Sequence, residues 1–327
     1  MTVQTQRLTS LIVASLIVVL VAAAAPVLAQ KAKEDIVLGL STPALNTEFW
    51  VNMYYGVVDE AKRQGVQVIV LDAGGYNNTL RQIQQIQDLV QRRVDALLVG
   101  ATNGDAIASV VEFAAGRGIP VVGLSSLPAT DKLAIRVGAD HYDMGVLQAK
   151  AMAEALNGRG QVAIMAGPPG ASWAEERRAG FRDTIAQYPG ITIVAEQFSN
   201  SDRLSGLQLM EDWIARFPNL AGVYGATDDL SAGAADALEA AGLTGKVIVT
   251  GSNLSQIGRQ YLAEGKIYAD TAQQVVLQGR LAVQNVLNLL MGLPYEADIK
   301  TSSVLVTGDN LTTVDMSTIA APEGFRP

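Results

Sequence analysis

The sequence predicts an α/β protein built as two lobes, each a parallel β-sheet flanked by helices. Three observations predict it. Residues 34–127 alternate short apolar runs with amphipathic stretches, in the order strand, helix, strand, helix, strand, helix, strand. The alternation resumes near residue 138 and continues to about residue 250. The chain has 327 residues, too many for one ordinary core. Alternating strands and helices over this length imply parallel sheets covered on both faces.

The first apolar run, 36–41, gives way to Leu45-Asn46-Thr47-Glu48-Phe49-Trp50. Trp50, Met53, Tyr54, Val57, Val58 and Ala61 then follow the 3.6-residue period of a helix. Lys62-Arg63-Gln64-Gly65 closes that helix with a basic last turn and a glycine cap. The second run, 66–71, gives way to Asp72-Ala73-Gly74-Gly75-Tyr76-Asn77-Asn78, and Leu80, Ile83, Ile86, Leu89 and Val90 mark the next helix. Run 96–99 ends in Gly100-Ala101-Thr102-Asn103-Gly104-Asp105. Arg117-Gly118 ends the following helix, and Pro120 leads into strand 121–124, which stops at Ser125-Ser126.

In the second half, strand 162–166 meets the rigid turn Gly167-Pro168-Pro169-Gly170. Helix 173–188, strand 191–196, helix 205–217, strand 221–224, helix 230–241 and strand 247–250 follow. After residue 267 the chain returns through a short strand, a long helix at 275–291 and a last strand at 304–307. The halves agree in plan but not in sequence, so no internal repeat is assigned.

A net charge of −8, spread without blocks, argues against a nucleic-acid partner. With 0 Cys there are no disulfides, thiolate nucleophiles or Cys–zinc sites. Arg7 is the sole charge before an apolar run from Leu11 to Ala25, and Val27-Leu28-Ala29 offers small residues for cleavage. Residues 1–29 therefore read as a secretory signal cleaved near Ala29, because the run is short of the ~20 residues of a spanning helix and Pro26 breaks it. The mature protein is expected outside the cytoplasmic membrane.

Catalytic motifs are missing. The 1 His, His141, has no Gly-x-Ser-x-Gly nucleophile elbow to serve and reads as a surface or cleft-edge imidazole. No Gly-rich phosphate cradle is present, and two prolines spoil Gly167–Gly170 as an anion nest. No catalytic residue, metal ligand or cofactor is assigned, and the chain is not read as an enzyme; an exported α/β enzyme is the remote alternative.

Small ligands bind beyond the carboxyl ends of the strands in open parallel sheets. The polar and aromatic residues at those ends, and at the crossings between lobes, are therefore the candidate ligand contacts: Asn46, Phe49 and Trp50; Asp72 and Tyr76; Asn103; Ser125; Asp140; Trp173 and Arg177; Asp228; Asn253; Gln273. Phe49 is assigned to the cleft, and Trp50 half to the core.

Several segments resemble type I periplasmic solute-binding proteins, the ribose-binding-like class that serves ABC importers. They are Asn46–Trp50, Asp72–Asn78, Val137-Gly138-Ala139-Asp140, Trp173–Phe181, Gly225-Ala226-Thr227-Asp228-Asp229 and Thr271-Ala272-Gln273-Gln274. Phe49-Trp50, Tyr55-Gly56, Leu71-Asp72-Ala73-Gly74-Gly75-Tyr76, Tyr142-Asp143-Met144-Gly145 and Leu277-Gln278-Gly279-Arg280 are similar to the TorT-like branch, periplasmic sensors linked to trimethylamine-N-oxide respiration. The resemblance implies two Rossmann-like lobes joined by a multi-strand hinge. The first lobe would take 34–137 plus 271–298, and the second 138–270 plus 299–327. It also implies capture of one small polar ligand by lobe closure, for the membrane permease of an ABC importer or, alternatively, the sensor domain of a histidine kinase. Sugar binders of the class carry Asp-Arg where Ser125-Ser126 stand, Arg near Glu175, and Asp where Asn253 stands. Those departures imply a neutral or amine-bearing ligand rather than a carboxylate or phosphate.

Overall fold

The computed structural model describes residues 31–327; the expected signal segment and its cleavage point lie outside the described residues. Two six-stranded sheets organise the chain. In chain order the first holds β1 (Val37–Thr42), β2 (Gln67–Asp72), β3 (Ala96–Val99), β4 (Val121–Leu124) and β5 (Ile135–Ala139), joined by α1 (Glu48–Gln64), α2 (Thr79–Gln91) and α3 (Gly104–Gly116). The second holds β6 (Arg159–Gly167), β7 (Gly190–Phe198), β8 (Leu220–Gly225), β9 (Ile248–Ser252) and β10 (Ala269–Gln273). Its helices are α4 (His141–Ala155), α5 (Ser172–Ile185), α6 (Arg203–Arg216), α7 (Asp228–Ala240) and α8 (Gln256–Ala263). The return comprises α9 (Val275–Leu290), β11 (Asp298–Thr301) and β12 (Ser303–Thr307).

Spatial order is β11-β5-β4-β3-β1-β2 in one sheet and β12-β10-β9-β8-β6-β7 in the other. Every pairing in the first sheet is parallel; β12 alone runs antiparallel in the second. In each sheet the first strand of the lobe sits between its second and third, so the order reverses there. That reversal opens a crevice at the carboxyl ends of the strands.

Strand alternation builds two cores per lobe. Ala96 and Leu98 of β3 join Leu38, Leu40, Met53 and Val57 under α1 and α9, while Leu97 and Val99 face Ile86, Leu89 and Ile107 under α2 and α3. In the second lobe Val162 and Ile164 face α4 and α5, and Ala163 and Met165 face α6 and α7. The helices of the first core pair meet at glycines. A Cβ on Gly56 of α1 would lie 2.2 Å from the carbonyl oxygen of Val276 on α9, and one on Gly279 would lie 2.6 Å from that of Met53.

The lobe boundaries differ from those expected at 137/138, 270/271 and 298/299. β5 stays paired in the first sheet through Ala139, β10 stays in the second through Gln273, and β11 adds to the first before the chain crosses at Ser302. A strand crossing between lobes carries its ladder to the sheet's edge, because buried backbone groups must pair. The tail also departs from its expected place in the second lobe alone. Ile319 packs in the second lobe, but the Ala321 amide donates to Asn52 Oδ1 on α1 and Phe325 packs on Tyr54 and Tyr55. Helix α4 lacks a legible apolar stripe; it is rich in small residues, with eight of its fifteen residues buried.

Candidate ligand-binding cleft between the lobes

The two reversal points face each other across a cleft of about 590 Å³. Residues from both lobes line it. Asn46, Phe49 and Trp50 come from the start of α1, Tyr76 from the β2–α2 loop and Ser125 from the end of β4. Trp173 and Arg177 come from the first turns of α5, Asp228 from the start of α7, Asn253 from the end of β9 and Gln273 from the end of β10. A second hollow, about 920 Å³, lies between the starts of α1 and α8 and the tail, but the aromatic rings gather in the first.

Three expected contacts do not line the cleft. Asp72 Oδ1 accepts from the Leu45 and Gly74 amides, both at 3.0 Å, and so ties two loops together. Asn103 caps α3 by accepting from the Ala106 amide at 3.0 Å. Asp140 caps α4 through the Asp143 amide at 3.0 Å and pairs with Lys300 at 3.3 Å. In each case the exposed first-turn amides of a helix or tight turn outcompete a ligand for the side chain. His141 is also not at the surface or the cleft edge. It is 3% exposed, and burial and the nearby Arg177 charge hold its pKa well below the usual imidazole range, so it stays neutral.

Aromatic groups meet at one oxygen. The Trp50 indole N–H donates to Tyr76 Oη at 3.1 Å, and the Trp173 indole, from the other lobe, donates to the same oxygen at 3.2 Å. Trp50 is more core than expected, at 1% exposure, and its ring lies so close to Gly100 that a Cβ there would be 2.0 Å away. Phe49 stands edge-on to Trp50 at 5.2 Å. Burial pushes the Tyr76 phenol up to about 12, so it remains a neutral acceptor and donor.

Arg177 is almost wholly buried, with its guanidinium 5.0 Å over the Trp173 ring. Nη1 donates to Ala226 O at 2.6 Å and Nη2 to Asn253 Oδ1 at 3.0 Å. Gln273 Nε2 donates to the same Asn253 oxygen at 2.9 Å. The lobes also touch around the cleft. Asn77 Nδ2 donates to Asn200 Oδ1, the Gln256 amide to Glu48 Oε2, and the Leu127 amide to Ser172 Oγ. These bonds describe a closed arrangement of the two lobes.

The wall also contains Glu48, Asn77, Asn200, Ser201, Asp202, Arg203, Thr227, Asp229 and the 255–260 segment, none of them assigned from sequence. Asn200 to Arg203 follow β7, and the strand-end rule, applied to that strand, finds them. Glu48, Asp202 and Asp229 give the rim of the cleft an acidic character, because Arg203 is engaged by Asp236 and Tyr261, and Arg177 by Ala226 O and Asn253. Asp229 registers that field. Burial first, then the charges of Asp228, Glu48 and Asp202, push its carboxyl up to about 6.

The folded protein therefore keeps a proton on Asp229 that the unfolded chain releases near pH ~4. The contribution of this group to stability falls as pH rises from there to about 6. Over the same window the cleft gains negative charge. Affinity for a cationic amine is expected to rise several-fold between roughly pH 5 and pH 7, while affinity for a neutral sugar stays flat. Calorimetry at both pH values, with Asp229→Asn as the flattened reference, checks this.

The sequence of residues 38–294 matches the family model described as periplasmic binding protein domain. The chain belongs to that family. It is 32% identical to the ribose import binding protein of Bacillus subtilis over 275 residues, 84% of this chain and 88% of that one. It is 28% identical to the periplasmic protein TorT of Escherichia coli over 303 residues, 91% of this chain and 85% of that one. Among solved structures, an ABC transporter periplasmic solute-binding protein from Actinobacillus succinogenes with bound D-allose superposes with a TM-score of 0.80 at 27% identity. That alignment covers 85% of this chain and 100% of the other. The two-lobe architecture of this periplasmic binding protein is thus the one expected from its strand order.

Proposed function

We propose that this protein is exported to the periplasm, where it captures one small neutral or amine-bearing polyhydroxylated ligand between its lobes and delivers it to the permease of an ABC importer. The observation that carries the reading is the cleft itself. Two indoles and a phenol from opposite lobes converge on one wall, and carboxylates and amides occupy the rest. Flat aromatic faces suit the C–H face of a sugar ring, and amides and carboxylates suit hydroxyl or ammonium groups. The similarity to ribose- and allose-binding proteins supports a sugar-like ligand. The acidic rim disfavours anions.

A thermal-shift screen with pentoses, hexoses, amino sugars, amine oxides and betaines tests this. A ligand at 100 times its Kd adds about 2.7 kcal/mol of stability. The bound compound is expected to be recovered chemically unchanged by mass spectrometry after prolonged stoichiometric incubation. A screen in which only carboxylates or phosphates stabilise the protein would sink the reading. The similarity to TorT supports a second reading, in which the closed form addresses the sensor domain of a histidine kinase. Ligand uptake lost on deletion of the gene favours import; intact uptake with a lost transcriptional response favours sensing.

A further inference from the structure

Asn253 and Leu254, at the end of β9, both have positive φ, 114° and 52°. Neither is glycine, and consecutive left-handed residues of this kind persist only where their surroundings hold them. Three successive amides do so. Asn253 N donates to Thr271 O at 2.8 Å, Leu254 N to Asp270 Oδ1 at 3.1 Å and Ser255 N to Asp228 Oδ2 at 2.5 Å. Asp228 starts α7, and Asp270 lies in β10, the strand leading to the second crossing. Both carboxyls are buried, at 1% and 0% exposure. Asp228 Oδ1 and Asp270 Oδ2 have no hydrogen-bond partner among the described residues, although both are buried. Gly258 of α8 completes the enclosure, since a Cβ there would sit 2.6 Å from Asp228 and 2.8 Å from Asp270.

We propose that Asp228 and Asp270 form a proton-bridged carboxyl pair that clamps the Asn253–Leu254 turn, making both of them positioning residues that set the Asn253 amide in the cleft wall. The inference rests on the reading of the cleft as the ligand site. The bridge follows from chemistry: two buried carboxylates repel at contact, whereas an acid and a carboxylate share one proton. Two amide donors then fall on the pair, one on each carboxyl. Burial, then the charge of Asp270, raises the Asp228 pKa well above the usual carboxylate range, and burial raises that of Asp270. The charged and titratable groups facing the pair are Arg177 from α5, Tyr224 from β8 and Asp229 from α7; the α8 and β9 faces present Gly258, Ser255 and Gly251. In such a pair the two carboxyls share one proton, and losing it at higher pH would open the clamp.

Hydrogen exchange on the ligand-free protein tests the clamp independently of any ligand. Asp270→Ala and Asp228→Ala are each expected to lower protection at Leu254 and Ser255 by about tenfold or more, with the β4 amides unchanged. Asp270→Asn keeps an acceptor for Leu254 and gives Asp228 a donor, so it is expected to restore protection and abolish its loss at alkaline pH. Carboxyl 13C spectra are expected to show one coupled titration displaced upward, assigned with Asp228→Asn and Asp270→Asn. Two independent carboxyl titrations in the ordinary acid range, or unchanged protection in both alanine variants, would overturn the proposal. If both alanine variants fail to fold, the 13C titration of the wild type and the Asn rescue decide. A failed ligand screen alongside a positive exchange result would instead count against the reading of the cleft.

Discussion

Trp173→Ala is expected to weaken ligand binding by about two orders of magnitude, on the order of 3 kcal/mol. Trp173 is 6% exposed, packs with Phe181 and Tyr224 in the second lobe, carries the Arg177 guanidinium on its face and reaches Tyr76 in the first lobe. Truncation removes a ring face of the cleft and a hydrogen bond made only while the lobes are closed. The ring contact contributes roughly 0.5–2 kcal/mol to a cationic or polarised ligand face, and the lost bond about 0.5–1.5. The cavity left behind loosens Arg177 and adds to both. Trp173→Phe, keeping a ring without the N–H, is expected to lose only about tenfold. Calorimetry with the ligand identified by screening, against Lys246→Ala on the surface, checks the order. If Trp173→Ala binds as tightly as the surface control, the cleft assignment is wrong.

The largest stability effect is expected from Gly56→Ala. The added methyl would start 2.2 Å from Val276 O, where carbon and oxygen need over 3 Å, so α1 and α9 must part. Alanine raises helix propensity by roughly 0.5–1 kcal/mol. Overpacking against backbone costs about 1–3 kcal/mol or more, and it wins because neither helix backbone can yield like a side chain. The melting temperature is expected to fall by several degrees, at roughly 2 °C per kcal/mol for a chain of this size. Gly116→Ala, whose Cβ meets nothing within 4 Å, is the reference and is expected to be neutral or slightly stabilising. Parallel thermal melts of the two variants decide it; equal values would mean that the two helices can separate freely.

Strand ends were legible because an apolar run that stops at Asn, Asp or Ser has only one physical reading in a buried sheet. What those polar residues do next was not legible. Asn103, Asp140 and Asp202 look alike in sequence, and each accepts from an amide of the helix it precedes. Only Asp202 also lines the cleft, because β7 delivers it beside Thr227 and Asn200. Whether a cap also meets a ligand depends on where the other lobe closes, a distance hundreds of residues away in the chain. The crossings were misplaced by a few residues for a similar reason. Gly138 and Asp270 read as breaks, yet both remain in ladders whose partners are set by strand order. The clamp was hidden too, since β9 and α8 separate Asp228 from Asp270 in the sequence.

The meeting of Trp50 and Trp173 on the Tyr76 hydroxyl gives the molecule a built-in optical gauge. Of its 3 tryptophans, two lie on opposite sides of the cleft and share one oxygen, and the third, Trp213, is sealed in the second lobe at 2% exposure. Indole emission responds to loss of an N–H bond and to arriving water. Opening therefore alters two emitters and leaves the third as an internal standard. Without any attached dye, the ratio between the responsive and constant parts of the spectrum reports how far the two halves have swung apart.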